Sequence, residues 1–313
     1  MGDIREGRST RLRAGLRAVA PAVTTLLVLL VGLAVLAAVA DAITERSPTG
    51  GMLATLVALS FLYVLLIAIA LWLATKLDRR RYASYGLDLD VAWLRAFAVG
   101  AGIGFLAAVV SVGYGAVRGF VDVDLSAGGV AGPGGPITLG LAVAILVGSF
   151  LIQNVYEEVV YRGIAIRNFV EGLTARGLSP TWAVLLATAA SLFLFGLFHI
   201  PLRGDPLEAM VTSALLGTAF ALAYVLTGEL ALPIGVHFGG MSIELAVGEE
   251  VVGLEVLSVV TLEQSAAASL EFLGVRVGLL CALIVAWVYL TSGDVGIDET
   301  VYRRDDDRLE AER

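Results

Sequence analysis

Residues 18–40 read AVAPAVTTLLVLLVGLAVLAAVA, without a single charged side chain. A helix rises 1.5 Å per residue, so roughly 20 apolar residues cross the hydrocarbon core of a bilayer, about 30 Å thick. This stretch is long enough, and comparable ones recur along the chain. They are Ala18 to Ala40, Met52 to Thr75, Val91 to Val117, Ile137 to Arg162, Thr181 to Ile200, Ala209 to Thr227, Leu230 to Gly248 and Leu270 to Thr291. The composition agrees: of 313 residues 58% are hydrophobic and 16% charged, and mean hydropathy is +0.87, outside the range of soluble globular domains. The expectation is an all-α, polytopic transmembrane helix bundle of about eight spans.

Short loops rich in Arg and Lys stay in the cytoplasm. With the N-terminus inside, all of the 21 basic residues except Arg46, Arg118, Arg203 and Arg276 fall on the cytoplasmic side, which predicts both termini there. Trp72, Trp93, Trp182 and Trp287 then lie near cytoplasmic span ends, where amphipathic rings favour the interface. The Arg-rich start followed by an apolar run also fits a cleavable signal peptide, but the run is long for one, and an anchored helix is the favoured reading. The net charge of -8 comes with acidic outer loops (Glu249, Glu250, Glu255, Glu263), which act as solvation, and nothing points to nucleic acid. A single Cys281 rules out a disulfide framework and a thiolate metal cluster.

Three regions follow. Residues 1–136 hold an arm, three leader helices and a Gly/Pro-rich stretch from Arg118 to Pro136, which reads as flexible linker. Residues 137–248 hold the unusual polar residues. Residues 249–313 hold an acidic outer loop, the last span and a tail from Asp294 that is too polar to pack. The stretch Ile164 to Leu173 either continues the fourth helix or lies on the interface.

An ionisable residue inside a span costs about 2.5 to 3.5 kcal/mol on insertion scales and marks a functional site by default. Glu157, Glu158 and Arg162 interrupt the fourth span in EEVVYR, and the two histidines of the chain, His199 and His237, interrupt the fifth and seventh. Glu158 and Arg162 are four apart, the favourable order for a helical ion pair, while Glu157 points about 100° away. The depths agree only in part. Glu157 and His199 lie about 24 and 27 Å from their cytoplasmic helix ends, but His237 lies only about 10 Å from Leu230. The fourth and fifth helices must therefore project, tilt or break near Gly163.

EEVVYR, then FGLFH, then HFGGM resemble the three motifs of the CAAX protease and bacteriocin-processing (CPBP) family of intramembrane proteases: Glu-Glu-x-x-x-Arg, Phe-x-x-x-His and His-x-x-x-Asn. The resemblance runs from Ile137 to about Leu245. It implies an endopeptidase without an acyl-enzyme, in which Glu157 and His199 activate water, Glu158 and Arg162 organise the site, and His237 stabilises the oxyanion. The family's Asn falls on Met241, which cannot donate a hydrogen bond. The family's label as metalloproteases implies zinc on Glu157, His199 and His237 as the rival chemistry. No His-Glu-x-x-His pair is present, and metal-free catalysis is favoured.

The expected substrate is a hydrophobic or lipidated protein or peptide in or at the bilayer, with prenylated proteins, peptide precursors and membrane-anchored proteins all compatible. Two other classes stay open. A proton-coupled transporter could use the same Glu and His as a relay, although no internal repeat is visible. A silent scaffold or immunity factor of the same fold would account for Met241.

Overall fold

The computed structural model describes residues 13–303 except 81, 127, 203, 204, 249, 263 and 264. The outermost parts of the basic N-terminal arm and the acidic-basic tail, along with Arg81, Arg203, Glu249 and Glu263, lie outside the described residues. Helices α1 (Ala14–Thr44), α2 (Pro48–Asp78) and α3 (Val91–Arg118) lead, and strands β1 (Val121–Val123) and β2 (Gly129–Ala131) follow. Next come α4 (Pro136–Glu158), a π-helical segment (Val159–Ile166), α5 (Arg167–Thr174), α6 (Pro180–His199) and α7 (Pro206–Thr227). The chain closes with α8 (Ala231–Gly240), α9 (Ser242–Val247), β3 (Glu255–Leu257), β4 (Val260–Leu262), α10 (Ala266–Ser292) and α11 (Glu299–Tyr302).

Seven helices among the described residues are long and apolar enough to cross a membrane. Their outward faces carry large apolar side chains, such as Leu27, Val31, Phe61, Phe105 and Leu290, as lipid contact requires. The eighth expected span is the short pair α8 and α9, broken at Met241. Leu230 N–H donates to Gly86 O at one end of the bundle, and Val259 N–H donates to Ala246 O at the other. Residues 231–247 therefore still run from end to end, about 25 Å at helical rise.

The two ends are built differently. At the end holding both described chain termini, Asp78 accepts from Arg17 (3.2 Å), Tyr85 (3.0 Å) and Asn168 (2.8 Å), tying α1, α2 and α5 together. Glu171 joins Arg17 and Arg80 at 3.0 and 2.8 Å. Burial, with Asp78 alongside, pushes the Tyr85 phenol well above its usual range, so it remains a donor. α1 is held here and again where Tyr156 Oη donates to Thr25 Oγ1 (2.8 Å), as an integrated helix of the bundle. At the opposite end β1 pairs with β4 and β2 with β3, both antiparallel. The stretch expected to be a flexible linker is thus partly ordered, because its Val and Ala residues find strand partners in the 255–262 loop. The tail also departs from expectation: Asp298 caps α11, its N–H donates to Val225 O, and Val301 is buried.

α3 and α8 pack backbone against backbone. A Cβ built on Gly100 would lie 2.5 Å from Leu232 O, and one on Gly104 would collide with Val236 O. Gly235 and Gly239 face Phe97 O and Ala101 O in the same way. Small residues at spacing four on both helices permit this approach, a device of membrane helix pairs. It fixes α8, and with it His237, against α3.

Candidate active site

The π-helical segment is the local feature on which the site is built. One extra residue per turn widens the helix, and all eight residues are buried. Carbonyls disturbed by the widening find side-chain donors: Ser191 Oγ donates to Tyr161 O (2.6 Å) and Asn168 Nδ2 to Ile164 O (3.0 Å). The helix does not end near Gly163. It runs on as α5 through the stretch 164–173, so α5 and the start of α6 project past the level at which α8 begins. Gly163 lies against Tyr85 and Leu230, where a Cβ would be 3.0 Å from Tyr85 O. From that level Glu157 is about 9 Å up α4 and His237 about 10 Å up α8, which resolves the mismatch in depth.

Glu157 and Glu158 are 1% and 0% exposed, Arg162 0% and His237 7%. Arg162 Nε is 3.2 Å from Glu158 Oε2, and Arg162 Nη2 donates to Gly217 O at 3.1 Å. The guanidinium lies over the rings of Phe195 and Phe220, 4.4 and 5.5 Å from their centroids. Glu158 Oε1 accepts from His237 Nδ1 at 3.0 Å, so one carboxylate joins the first motif to the third. His237 therefore does not stand apart from the ion pair, as helix geometry alone suggests. Its ring stacks on Phe220 at 4.2 Å, and Nε2 faces Glu157 Oε2 at 3.8 Å, beyond direct hydrogen bonding. Glu157 Oε1 accepts from Gln153 Nε2 at 3.0 Å. His199 Nδ1 is 2.8 Å from Phe195 O; a carbonyl only accepts, so Nδ1 carries the proton and Nε2 is the basic nitrogen of the neutral ring.

Glu157, His199 and His237, from three helices, line one cavity of about 290 Å³ together with Met241, Glu244 and Arg276. Its other walls are mostly apolar, among them Leu146, Phe150, Val251 and Val256, the last two from the strand-bearing end. Glu158 and Arg162 sit behind this wall. Among the described residues no group of three or more His, Cys, Asp or Glu could hold a metal ion. The candidate zinc set Glu157, His199 and His237 does not form such a group.

Three contributors escape motif reasoning. Gln153 lies one helical turn before Glu157 on the same face, a spacing visible in the sequence. Phe220 supplies a stacking plane and has no sequence signal beyond its apolar helix. Arg276 falls within the expected last span, Leu270 to Thr291, although the count of basic residues by side places it outside; it lies well inside α10, 8% exposed, with Nη2 donating to Gly240 O at 2.6 Å. Its signal was the insertion cost of a mid-helix Arg, about 2.5 to 3.5 kcal/mol.

Residues 139–241 match the model of a family described as Rce1-like, Type II CAAX prenyl endopeptidase Rce1-like. The match covers about a third of the chain, spans α4 to Met241, and bears out the family resemblance of the three motifs. No curated protein and no solved structure matches the chain. Residues 139–241 are thus similar to a protease family, and seven helices long and apolar enough to cross a membrane make the chain an integral membrane protein.

Proposed function

We propose that this chain, carrying an Rce1-like core at residues 139–241, is an intramembrane endopeptidase that hydrolyses a peptide bond of a membrane-associated or lipidated protein without a resident metal. The convergence of Glu157, His199 and His237 on one cavity with apolar walls carries this reading. Water held between Glu157 and His199 Nε2 gives up a proton as its oxygen bonds to the scissile carbonyl carbon, and the carbonyl π pair moves to oxygen. The C–N bond then breaks, its electron pair goes to nitrogen, and the same proton is returned to the departing amine. General-base assistance of this kind contributes about 100-fold to 10,000-fold.

Arg162 and the His237 N–H both engage Glu158, so the neighbouring Glu157 is left as the base. In its imidazolium form His237, held at Nδ1 by Glu158 and stacked on Phe220, donates its Nε2 proton towards the charge developing on the carbonyl oxygen. The apolar wall receives the side chains or lipid of the substrate. The basic-residue bias assigns the termini-bearing end to the cytoplasmic side.

The test is a comparison of membrane-proteome termini in the native host carrying wild type or Glu157→Gln at equal abundance. Termini present with the wild type and lost with the variant identify the substrate. Identical terminomes would overturn the reading and favour the scaffold.

A further inference from the structure

We propose that Arg276 is the oxyanion donor that replaces the missing asparagine of the third motif. The inference rests on the endopeptidase reading and adds a catalytic residue to it. Position 241 closes the turn between α8 and α9 and lines the cavity, but a thioether cannot donate a hydrogen bond. Across the same cavity wall, α10 delivers a guanidinium to the carbonyl of Gly240, the residue before Met241. Gly240 makes that approach possible, since a Cβ there would lie 2.9 Å from Arg276 Nη2. One Nη2 proton is used on the carbonyl, and Nε has no hydrogen-bond partner among the described residues. The guanidinium has five N–H donors, so it has protons to spare. Glu244 on the same wall acts on it electrostatically and balances its charge while no substrate is bound.

A cation held against backbone in a cavity lined by the proposed general base suits a developing negative charge rather than a neutral ground state. It remains protonated throughout and forms no covalent bond. The placement also explains why Met is tolerated at 241: a second donor from α8 is redundant once α10 supplies one.

The probe is an N-acylated apolar tripeptide in which an anionic phosphonate replaces the scissile amide, titrated into the full chain in detergent micelles. The uncharged parent peptide, with free and amidated C-termini, serves as comparison. Wild type should bind the phosphonate more tightly than the parent peptide. Arg276→Gln should weaken phosphonate binding by about 100-fold, the usual loss for one oxyanion donor, and leave the neutral peptide unchanged. Arg276→Lys should recover part of the loss. Met241→Asn added to Arg276→Gln should restore binding to within about tenfold of wild type, which a merely misfolded variant could not do. Equal phosphonate binding by Arg276→Gln and wild type, or no rescue by Met241→Asn, overturns the assignment while the endopeptidase reading stands. A loss confined to peptides with a free C-terminus also overturns it, in favour of a carboxylate-reading role. Absence of any phosphonate preference in the wild type overturns the endopeptidase reading itself.

Discussion

Adding one methyl group at Gly100 tests whether the α3–α8 seam sets the geometry of the site. In Gly100→Ala the new Cβ would lie 2.5 Å from Leu232 O and 3.0 Å from Val236 N, both backbone atoms that cannot swing aside. Ordinary contact begins at 3.4 Å, so the helices must part by about 0.9 Å at this level. α8 carries His237 little more than a turn beyond Leu232. If most of that shift is transmitted, the 3.0 Å bond from His237 to Glu158 passes the limit of a hydrogen bond. The expected cost is about 1–3 kcal/mol of stability from overpacking, with about 100-fold in turnover from misplacement of a catalytic group. Gly102→Ala is the control, because a Cβ there meets nothing within 4 Å. Unfolding in mixed micelles and cleavage of the substrate identified by its termini measure the two effects. If Gly100→Ala matched Gly102→Ala in both, the argument that backbone contact positions the histidine would be wrong.

Asp78→Ala should destabilise the protein by about 1–3 kcal/mol in the same unfolding assay, because it removes the buried acceptor shared by Arg17, Tyr85 and Asn168 while Arg17 keeps Glu171; a change near zero would mean that water already satisfies this network. Glu229, in the turn between α7 and α8, has its carboxyl pKa raised by burial and then by Asp90, Asp88 and Asp298. A raised carboxyl pKa means that the folded state holds its proton more tightly, so stability falls as pH rises through the folded pKa. Glu229→Gln should therefore raise the Tm at neutral pH, with the gain disappearing below the unfolded pKa; a gain that is constant with pH would contradict this. For topology, Ser126→Cys and Glu250→Cys in a Cys281→Ala background should both react with an impermeant maleimide on intact cells, while Arg303→Cys should react only after permeabilisation. The reverse pattern would invert the orientation.

Hydropathy made the bundle legible because membrane insertion selects for length and apolarity, which are local properties of sequence. It was least informative where tertiary partners override them. The stretch 118–136 looks like linker when read alone, yet β1 and β2 form because residues 255–262, more than a hundred positions later, present complementary edges. The tail was similar, since Val301 is buried against helices that no local pattern associates with it. The seventh apolar stretch gave the right path through the bundle but hid a break, because Met241 and its neighbours carry no Pro to announce one.

The site divides along the same line. Glu157, Glu158, Arg162, His199 and His237 could be named because each is costly in an apolar helix, and a cost of this kind is visible in sequence whatever the partner. Which of them pair was not visible. Four-residue spacing foretold Glu158 with Arg162, but the Glu158 to His237 bond joins residues 79 apart and depends on the depth of α8, which the glycine seam sets. Arg276 shows what happens when a rule about loops is applied to a residue inside a helix: counting charges by side assigned it to the outer surface and so removed it from the polar set. Restored to α10, it stands on the cavity wall beside the one position where this chain departs from the motif. The cost of burying that cation and the loss of the asparagine donor are then two parts of one substitution, with the oxyanion contact moved from α8 to α10.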